Sequence, residues 1–408
     1  MFIETSIKEQ VERQRHDRMR VLVVGAGVAG LTLAQLLRRS GLSPVLVERA
    51  SASTEPGYML ALMPLAEQAL RELGVWDDYV SRSVPFHRYR PHGHRGQLLR
   101  EYEIDTLLGA EGEYRGIMRG SLMQVLSGPG APISHGATLK AIRQAADAVE
   151  ATLGSEAGDV EAVFDTVIFA DGLHSDGRAR LLDPRQVTTY DTNWAGWVAW
   201  IDTDPDHADR GDEIWGAGFF VGIYPVNGQA GVFVGGSRAD MRAGPAAFIK
   251  HIRSRLRVPD PWFERALAQI ETGEEHYFWK LLDCRAEHWT VGRAALLGDA
   301  AAGFLPTAGI GAGMAMESAT VLAHCLRDVS RDGVADALRA YERAQRPRVE
   351  AAQDSSRQLA KLMFRRSRIL AVFRDLAVRL LPLETALRPI RKLLDSSPLP
   401  KTTVATRS

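Results

Sequence analysis

Residues 20–30 read Arg-Val-Leu-Val-Val-Gly-Ala-Gly-Val-Ala-Gly. Val21 to Val24 form a continuous β-prone run, the pattern of a strand buried on both faces of a parallel sheet. Gly25 to Gly30 follow as a glycine-rich turn. Leu31–Arg39 then shows helical spacing, with Leu33, Leu36 and Leu37 on one side and Gly41 as the stop signal. Pro44–Glu48 is a second strand, so the segment is half of a βαβ unit. Gly25, Gly27 and Gly30 fit G-x-G-x-x-G. The first glycine serves a tight turn, the second a close approach to a pyrophosphate, and the third close helix–strand packing. The helix start offers free N–H groups and the positive end of a dipole to phosphates. Glu48 closes the second strand, about 20 positions on, where a carboxylate can accept the hydroxyls of an adenosine ribose. Such a charge-assisted hydrogen bond is worth roughly 1.5–3 kcal/mol. Its charge disfavours a 2′-phosphate, so the turn suits FAD or NAD better than NADP.

Outward from this turn, Leu65–Leu73 reads as an amphipathic helix ended by Gly74, and Gly120–Leu126 as a helix start. Phe86–Glu103 reads as two strands around a Gly93–Gly96 turn. Ala162–Phe169 reads as one strand running into Ala170-Asp171-Gly172. From Tyr190 to Trp279 the character changes to short runs rich in Trp, Val, Ile and Phe (Trp194–Ile201, Ile214–Tyr224, Gly231–Gly235), the signature of an antiparallel sheet. Within it, Pro245–Ile270 is helix-rich. Ala294–Leu297 is a buried strand ending at Gly298-Asp299, and Gly311–Leu326 and Ala335–Arg343 are helices. The expected architecture is α/β, a Rossmann-like dinucleotide-binding domain with an inserted antiparallel-sheet domain and C-terminal helices. The boundaries are a polar leader over 1–19, helical or frayed and dispensable; a discontinuous dinucleotide domain over 20–183 and 286–355; an inserted domain over 184–285, joined by 80–110; and a basic helical segment over 356–408.

Composition restricts the alternatives. The chain has 408 residues, 45% hydrophobic and 25% charged, with 50 Lys plus Arg against 50 Asp plus Glu. These values exclude wholesale disorder, and the balanced charge argues against a nucleic-acid partner. Two cysteines, Cys284 and Cys325, exclude a disulfide framework and a multi-cysteine metal site, and both read as small buried residues. His87, His92 and His94 read as a solvated turn; no metal is expected. No signal peptide or membrane span is legible, so a cytoplasmic setting is the expectation.

Two further stretches narrow the dinucleotide. Ile168–Arg178 reads Ile-Phe-Ala-Asp-Gly-Leu-His-Ser-Asp-Gly-Arg, and Gly292–Glu317 reads GRAALLGDAAAGFLPTAGIGAGMAME. With the glycine turn and Glu48-Arg49, these resemble the three fingerprints of the single-component flavoprotein aromatic hydroxylases, the p-hydroxybenzoate hydroxylase-like FAD monooxygenases. Gly57, Pro64 and Leu73-Gly74-Val75, Met118–Leu122, Trp194–Trp200 and Tyr224-Pro225 carry lesser marks of the same family. The resemblance implies FAD with its adenosine on Gly25, Ala26, Gly27, Ala29, Gly30, Glu48 and Arg49. It places Arg119 at the phosphate or ribose region, Asp171 at a loop shared with NADH or NADPH, and Asp299 at the ribityl or pyrophosphate region. It sets the backbone of Gly311, Ala312 and Gly313 against the anionic edge of the reduced flavin, where helix N-terminal donors stabilise charge. The implied reaction uses NAD(P)H and O2 to hydroxylate an aromatic or other electron-rich small molecule through a flavin C(4a)-hydroperoxide. Pro306, Trp215, Phe220 and Tyr224 are the candidate substrate-pocket residues. Ala302, Ile310, Gly313 and Leu65 depart from the family's usual His, Gln, Asn and Asn. The rivals are an FAD enzyme of other chemistry (an isoprenoid-type reductase, an epoxidase or a halogenase) and a flavin-binding protein without turnover. Trp194, Trp197 and Trp200 do not follow the W-x-W-x-I-P pattern of flavin halogenases.

The segment Arg357–Lys392 carries ten basic residues against Asp375 and Glu384, interleaved with leucines, Phe364 and Phe373. It reads either as terminal helices packed on the domain or as a basic amphipathic helix able to make weak contact with an anionic membrane.

Overall fold

The computed structural model describes residues 2–51, 57–104, 112–128, 130–258, 260–273, 277–380, 391–396 and 398. Val21–Val24 lies inside a five-stranded sheet ordered Thr290–Val291, Ala294–Leu296, Thr166–Phe169, Val21–Val24, Val45–Val47. The last four strands are parallel, with Val21 opposite Thr166 and Leu22 opposite Val45. Helices Val28–Arg39 and Gly311–Leu326 pack on each other and join the same core. A three-stranded meander (Thr138–Gln144, Val149–Ser155, Gly158–Phe164) adds Leu139, Val149, Leu153 and Phe164. Strands buried on both sides must be apolar throughout, which is why Val21–Val24 reads as an unbroken run.

Ala162–Phe169 is not one strand. The chain breaks at Asp165: Gly158–Phe164 closes the meander, and Thr166–Phe169 enters the parallel sheet. The Asp165 carboxylate, buried at the break, accepts from the Arg20 backbone N–H at 2.7 Å and from its guanidinium at 2.8 Å. Burial opposes its ionisation, but the Arg20 bonds and the nearby Arg331 outweigh it and hold the carboxyl below its ordinary value.

The leader is built into the fold rather than frayed. Ile3–Glu4 pairs with Pro132–Ile133, and helix Ile7–Arg13 is capped by Ser6. The buried Gln10 amide donates to Leu46 O at 3.1 Å and Ser134 Oγ at 2.8 Å, and accepts from Leu46 N–H at 2.9 Å. Val45–Val47 is the sheet's edge strand; Leu46 O also accepts from Ser134 N–H, and Gln10 supplies the acceptor for the Leu46 N–H there.

The second large sheet has seven strands, ordered Tyr277–Ala286, Val187–Asp202, Gln229–Ser237, Phe219–Val226, Arg210–Trp215, Arg88–His92, Tyr102–Glu103. All neighbours are antiparallel except Arg210–Trp215 beside Arg88–His92. Ile214–Tyr224 is therefore two strands with a turn at 216–218. Alternate residues point to opposite faces. Trp197, Ile214, Phe219, Val221 and Ile223 cluster with residues of helices Pro245–Arg255 and Pro261–Thr272. Trp194, Val198, Trp215, Phe220 and Phe233 cluster with Leu305 and Met363 on the other face.

The expected Ala335–Arg343 helix is a 30-residue helix, Val334–Met363, with Pro347 inside it. It runs without interruption across the boundary expected at 356. Gln353 donates to Cys284 O and Gly303 O, and Ser356 to Leu305 O, so the helix ties the seven-stranded sheet to the loop before Pro306. The Gly93–Gly96 turn is not solvated at its histidines. His92 and His94 are buried, and His94 Nδ1 lies 2.6 Å from Asp375 of helix Arg368–Leu380, which covers the turn. Cys284 is buried and Cys325 half-buried.

Candidate functional site

A cleft of about 1650 Å³ runs along the glycine turn, past Glu48, Arg119 and Asp171. Each glycine there has a separate physical reason. Gly25 has φ +101°, and a Cβ would sit 2.5 Å from Ala170 O. At Gly30 a Cβ would sit 1.9 Å from Gly25 O, so helix and turn close only without a side chain. At Gly27 nothing lies within 4 Å, and the open space belongs to the cleft. Gly27 is also the N-cap of helix Val28–Arg39 and supplies no side-chain acceptor, so the first-turn N–H groups remain for a ligand. Ala29 packs under Gly298, whose Cβ would meet it at 2.8 Å.

The acidic residues take fixed positions around this cleft. Glu48 accepts from the N–H groups of Ala26 at 2.7 Å and Ala50 at 2.9 Å, which orient its carboxylate and leave lone pairs for hydroxyl donors. Arg49 is exposed, 3.8 Å from Asp176. Asp171 Oδ2 accepts from Gly177 N–H at 2.9 Å, while its Oδ1 is buried with no partner. A buried carboxylate oxygen facing no donor fits a site whose ligand brings hydroxyl groups. Arg119 donates its N–H to Tyr58 O at 2.9 Å, at the start of helix Arg119–Ser127, and its guanidinium lies 5.9 Å from the Tyr58 ring centroid. Asp299 has its surface open but lies deep between protein walls. This desolvation pushes its carboxyl up to about 6, against the pull of Arg178.

Gly311, Ala312 and Gly313 open the 16-residue helix Gly311–Leu326, again without a side-chain cap. Leu65 lies against Gly313, where a Cβ would stand 3.2 Å from it, and Ala302 and Ile310 are buried in the core. These departures from the family pattern are thus packing positions in this chain. Pro306 starts a tight turn to Ala308, anchored by Thr307 Oγ1 bonding to Ser356 O at 2.9 Å. At Gly309, φ +62°, a Cβ would meet the Tyr114 hydroxyl at 3.0 Å.

Trp215 and Phe220 share one apolar cluster with Leu305, directly before Pro306. Tyr224 lies on the same sheet face by alternation. The residue missed by sequence reading is Glu213. Its Oε1 accepts from Tyr224 Oη at 2.5 Å, and its Oε2 from Tyr89 Oη at 2.6 Å and Trp215 Nε1 at 2.7 Å. Burial pushes its carboxyl up against the pull of these three donors. Burial, and then Glu213 itself, push the Tyr224 and Tyr89 phenols well above their ordinary range. Period-two spacing from Trp215 could have placed Glu213 on this face; nothing local could have supplied Tyr89.

The FAD binding domain family matches residues 18–356. Aurachin C monooxygenase/isomerase of Stigmatella aurantiaca is 29% identical over 347 residues, covering 82% of this chain and 86% of its own. The 3-amino-4-hydroxybenzoate 2-monooxygenase of Streptomyces cremeus is 28% identical over 360 residues, covering 84% of this chain and 87% of its own. Among solved structures, Klebsiella pneumoniae HpxO complexed with FAD and uric acid superposes with a TM-score of 0.83 at 23% identity, over 95% of this chain and 99% of that one. The glycine turn, the orphaned Asp171 oxygen and the two uncapped helix starts fit FAD, and the chain belongs to the FAD binding domain family as a flavin-dependent monooxygenase.

Proposed function

We propose that this flavoenzyme uses NADH or NADPH and O2 to hydroxylate an aromatic or other electron-rich small molecule held against Trp215, Phe220, Tyr224 and Pro306. The observation that carries this reading is Glu213, a buried carboxylate on an aromatic sheet face with only neutral donors hydrogen-bonded to it. FAD, when bound, takes up the nicotinamide's electrons and activates oxygen. The chain's share is binding, orientation and shielding. Gly25–Gly30 and Glu48 hold the adenosine half, Arg119 the phosphate or ribose region, and Asp171 and Asp299 the hydroxyl-bearing linker. The N–H groups of Gly311–Gly313 favour negative charge on the reduced ring. The aromatic wall keeps water away from the reacting atoms. Tyr224 donates to Glu213 and keeps lone pairs that can accept a substrate O–H or N–H. Moving the substrate proton to Tyr224 Oη while the Tyr224 proton passes to the Glu213 carboxylate would enrich the substrate ring in electrons, and the Streptomyces cremeus relative's named substrate carries both an amino and a hydroxyl group.

The test is NAD(P)H oxidation by the FAD-loaded protein with a panel of phenols and nitrogen heteroaromatics under isotopically labelled O2. Labelled oxygen in an aromatic product is the expected result. Turnover without label in any product would move the assignment to a reductase- or halogenase-type flavoenzyme. Binding of FAD with no stimulated oxidation would leave a flavin-binding protein.

A further inference from the structure

Helix Arg368–Leu380 is packed the reverse of an ordinary surface helix. Its inward side carries Ala371, Arg374 and Asp375, all buried. Asp375 accepts from His94 N–H at 2.9 Å and Gln97 Nε2 at 3.1 Å, beside His94 Nδ1. Arg374 donates to Gly216 O and Met363 O at 3.3 Å and to Trp215 O. These bonds set the helix's rotation about its axis, because turning it would strip a buried ion pair of its partners. The outward side carries Ile369, Phe373, Leu376 and Leu380, at i, i+4, i+7 and i+11, exposed to 70%, 64%, 51% and 71%. Leu370 and Val372 flank them and are also exposed. A contiguous apolar face of this kind marks an interaction surface.

The charge around the face selects its partner. Lys361, Arg365, Arg366, Arg368 and Arg379 are exposed along and beside the helix, and the acid of this stretch, Asp375, is turned inward. Arg366 reaches Asp240, while Arg368 and Arg379 stand on the helix beside the stripe and Lys361 and Arg365 precede it. A second copy docked through the same face would set arginines against arginines. An anionic lipid surface meets both demands at once, with acyl chains for the stripe and headgroups for the guanidinium groups. Among the described residues no helix is long and apolar enough to cross a membrane, so the contact would be superficial. We propose that helix Arg368–Leu380 docks this enzyme on anionic membranes through Ile369, Phe373, Leu376 and Leu380. Arg374 bonds the backbone of Trp215, so the docked helix lies directly beside the aromatic sheet face. The docking itself does not depend on the reaction proposed above.

The experiment is sedimentation of full-length, FAD-loaded protein with phosphatidylcholine vesicles with and without phosphatidylglycerol. Binding to the anionic vesicles alone, weakened by added salt, is expected. I369S and F373S should each weaken it more than about tenfold, since each removes a buried apolar side chain from the lipid contact. R368E and R379E should weaken it at least about fivefold each. V163S, at an exposed apolar residue of the meander, should bind as the parent does, and all five variants should keep the parent's circular dichroism and flavin content. Absence of binding, equal binding to neutral vesicles, or binding indifferent to I369S and F373S overturns the proposal. So does self-association in sedimentation velocity that I369S and F373S abolish while vesicle binding is missing, which would assign the face to a second copy.

Discussion

In the five-stranded sheet the strands are short and mostly parallel, with Val21–Val24 only four residues long, and the parallel strands are apolar but for Thr166, whose hydroxyl donates to Arg293 O. In the seven-stranded sheet they are mostly antiparallel and reach 16 residues in Val187–Asp202, and polar groups such as Glu213 are buried on one face. The first sheet ends in turns that present backbone N–H groups to a cleft, so its chemistry lies in the main chain and in a few carboxylates. The second presents side chains, and its chemistry depends on which residues alternate onto which face. A cofactor shared across a family can be held by the first kind of site. A substrate peculiar to one protein needs the second, because side chains can change without altering the fold.

The sharpest way to break this contrast is at the glycines. Gly30→Ala puts a methyl group 1.9 Å from Gly25 O, whereas Gly27→Ala meets nothing of the protein. G30A is expected to lose about 3 kcal/mol or more of stability in urea unfolding, from a clash with backbone that cannot move aside. G27A should unfold as the parent does yet lose FAD in equilibrium dialysis. Equal flavin loss and equal stability for the two would mean that the turn does not approach the cofactor through Gly27.

A smaller effect is expected at Glu213. Glu213→Gln keeps the shape but puts an NH2 in place of one acceptor oxygen; with its oxygen toward Tyr89 and Trp215, the NH2 meets Tyr224, whose hydroxyl must give up its present bond, and all three bonds lose their charged acceptor. The expected cost is about 1–3 kcal/mol in chemical denaturation. The flavin content should stay unchanged, since the five-stranded sheet is untouched. A matching loss of FAD would show that the two sheets are not separable in the way their packing suggests.

The smallest expected effect is the pH response of FAD affinity. Desolvation by the surrounding chain holds the Asp299 carboxyl up at about 6 in the free protein. Ligand hydroxyls stabilise its ionised form, so binding releases a proton, and affinity should rise with pH through about 6, by at most about tenfold per pH unit. Asp299→Asn should flatten that part of the profile in fluorescence titrations of FAD. An unchanged slope in D299N would remove Asp299 from the cofactor contacts.

Much of the cofactor half was legible because its signals are local. Gly25–Gly30, Glu48, Asp171-Gly172 and Gly298-Asp299 sit at strand ends, and the long helix Gly311–Leu326 follows from its own spacing. What escaped the reading depends on residues far apart in the chain. Asp165 ends one strand and starts another because Arg20 meets it across 145 residues. The helix expected over Ala335–Arg343 continues through Pro347 to Met363, tied along its length by Gln345 to Glu317, Gln353 to Gly303 and Ser356 to Leu305. The leader looked dispensable because its residues are polar, and polarity does not reveal that Gln10 is spent on an edge strand.

Local sequence carried the parts of this protein governed by backbone geometry: the parallel strands, the glycine turn and the helix starts. These rest on dihedral freedom, side-chain size and period, which act within a few residues. Tertiary structure decided the rest. It assembled Glu213 with Tyr89, Trp215 and Tyr224, buried His94 under Asp375, and turned Phe373 outward by locking Arg374 inward. Burial and hydrogen-bond satisfaction are properties of whichever residues meet in space, and the meeting of His94 with Asp375 spans 281 positions in the chain.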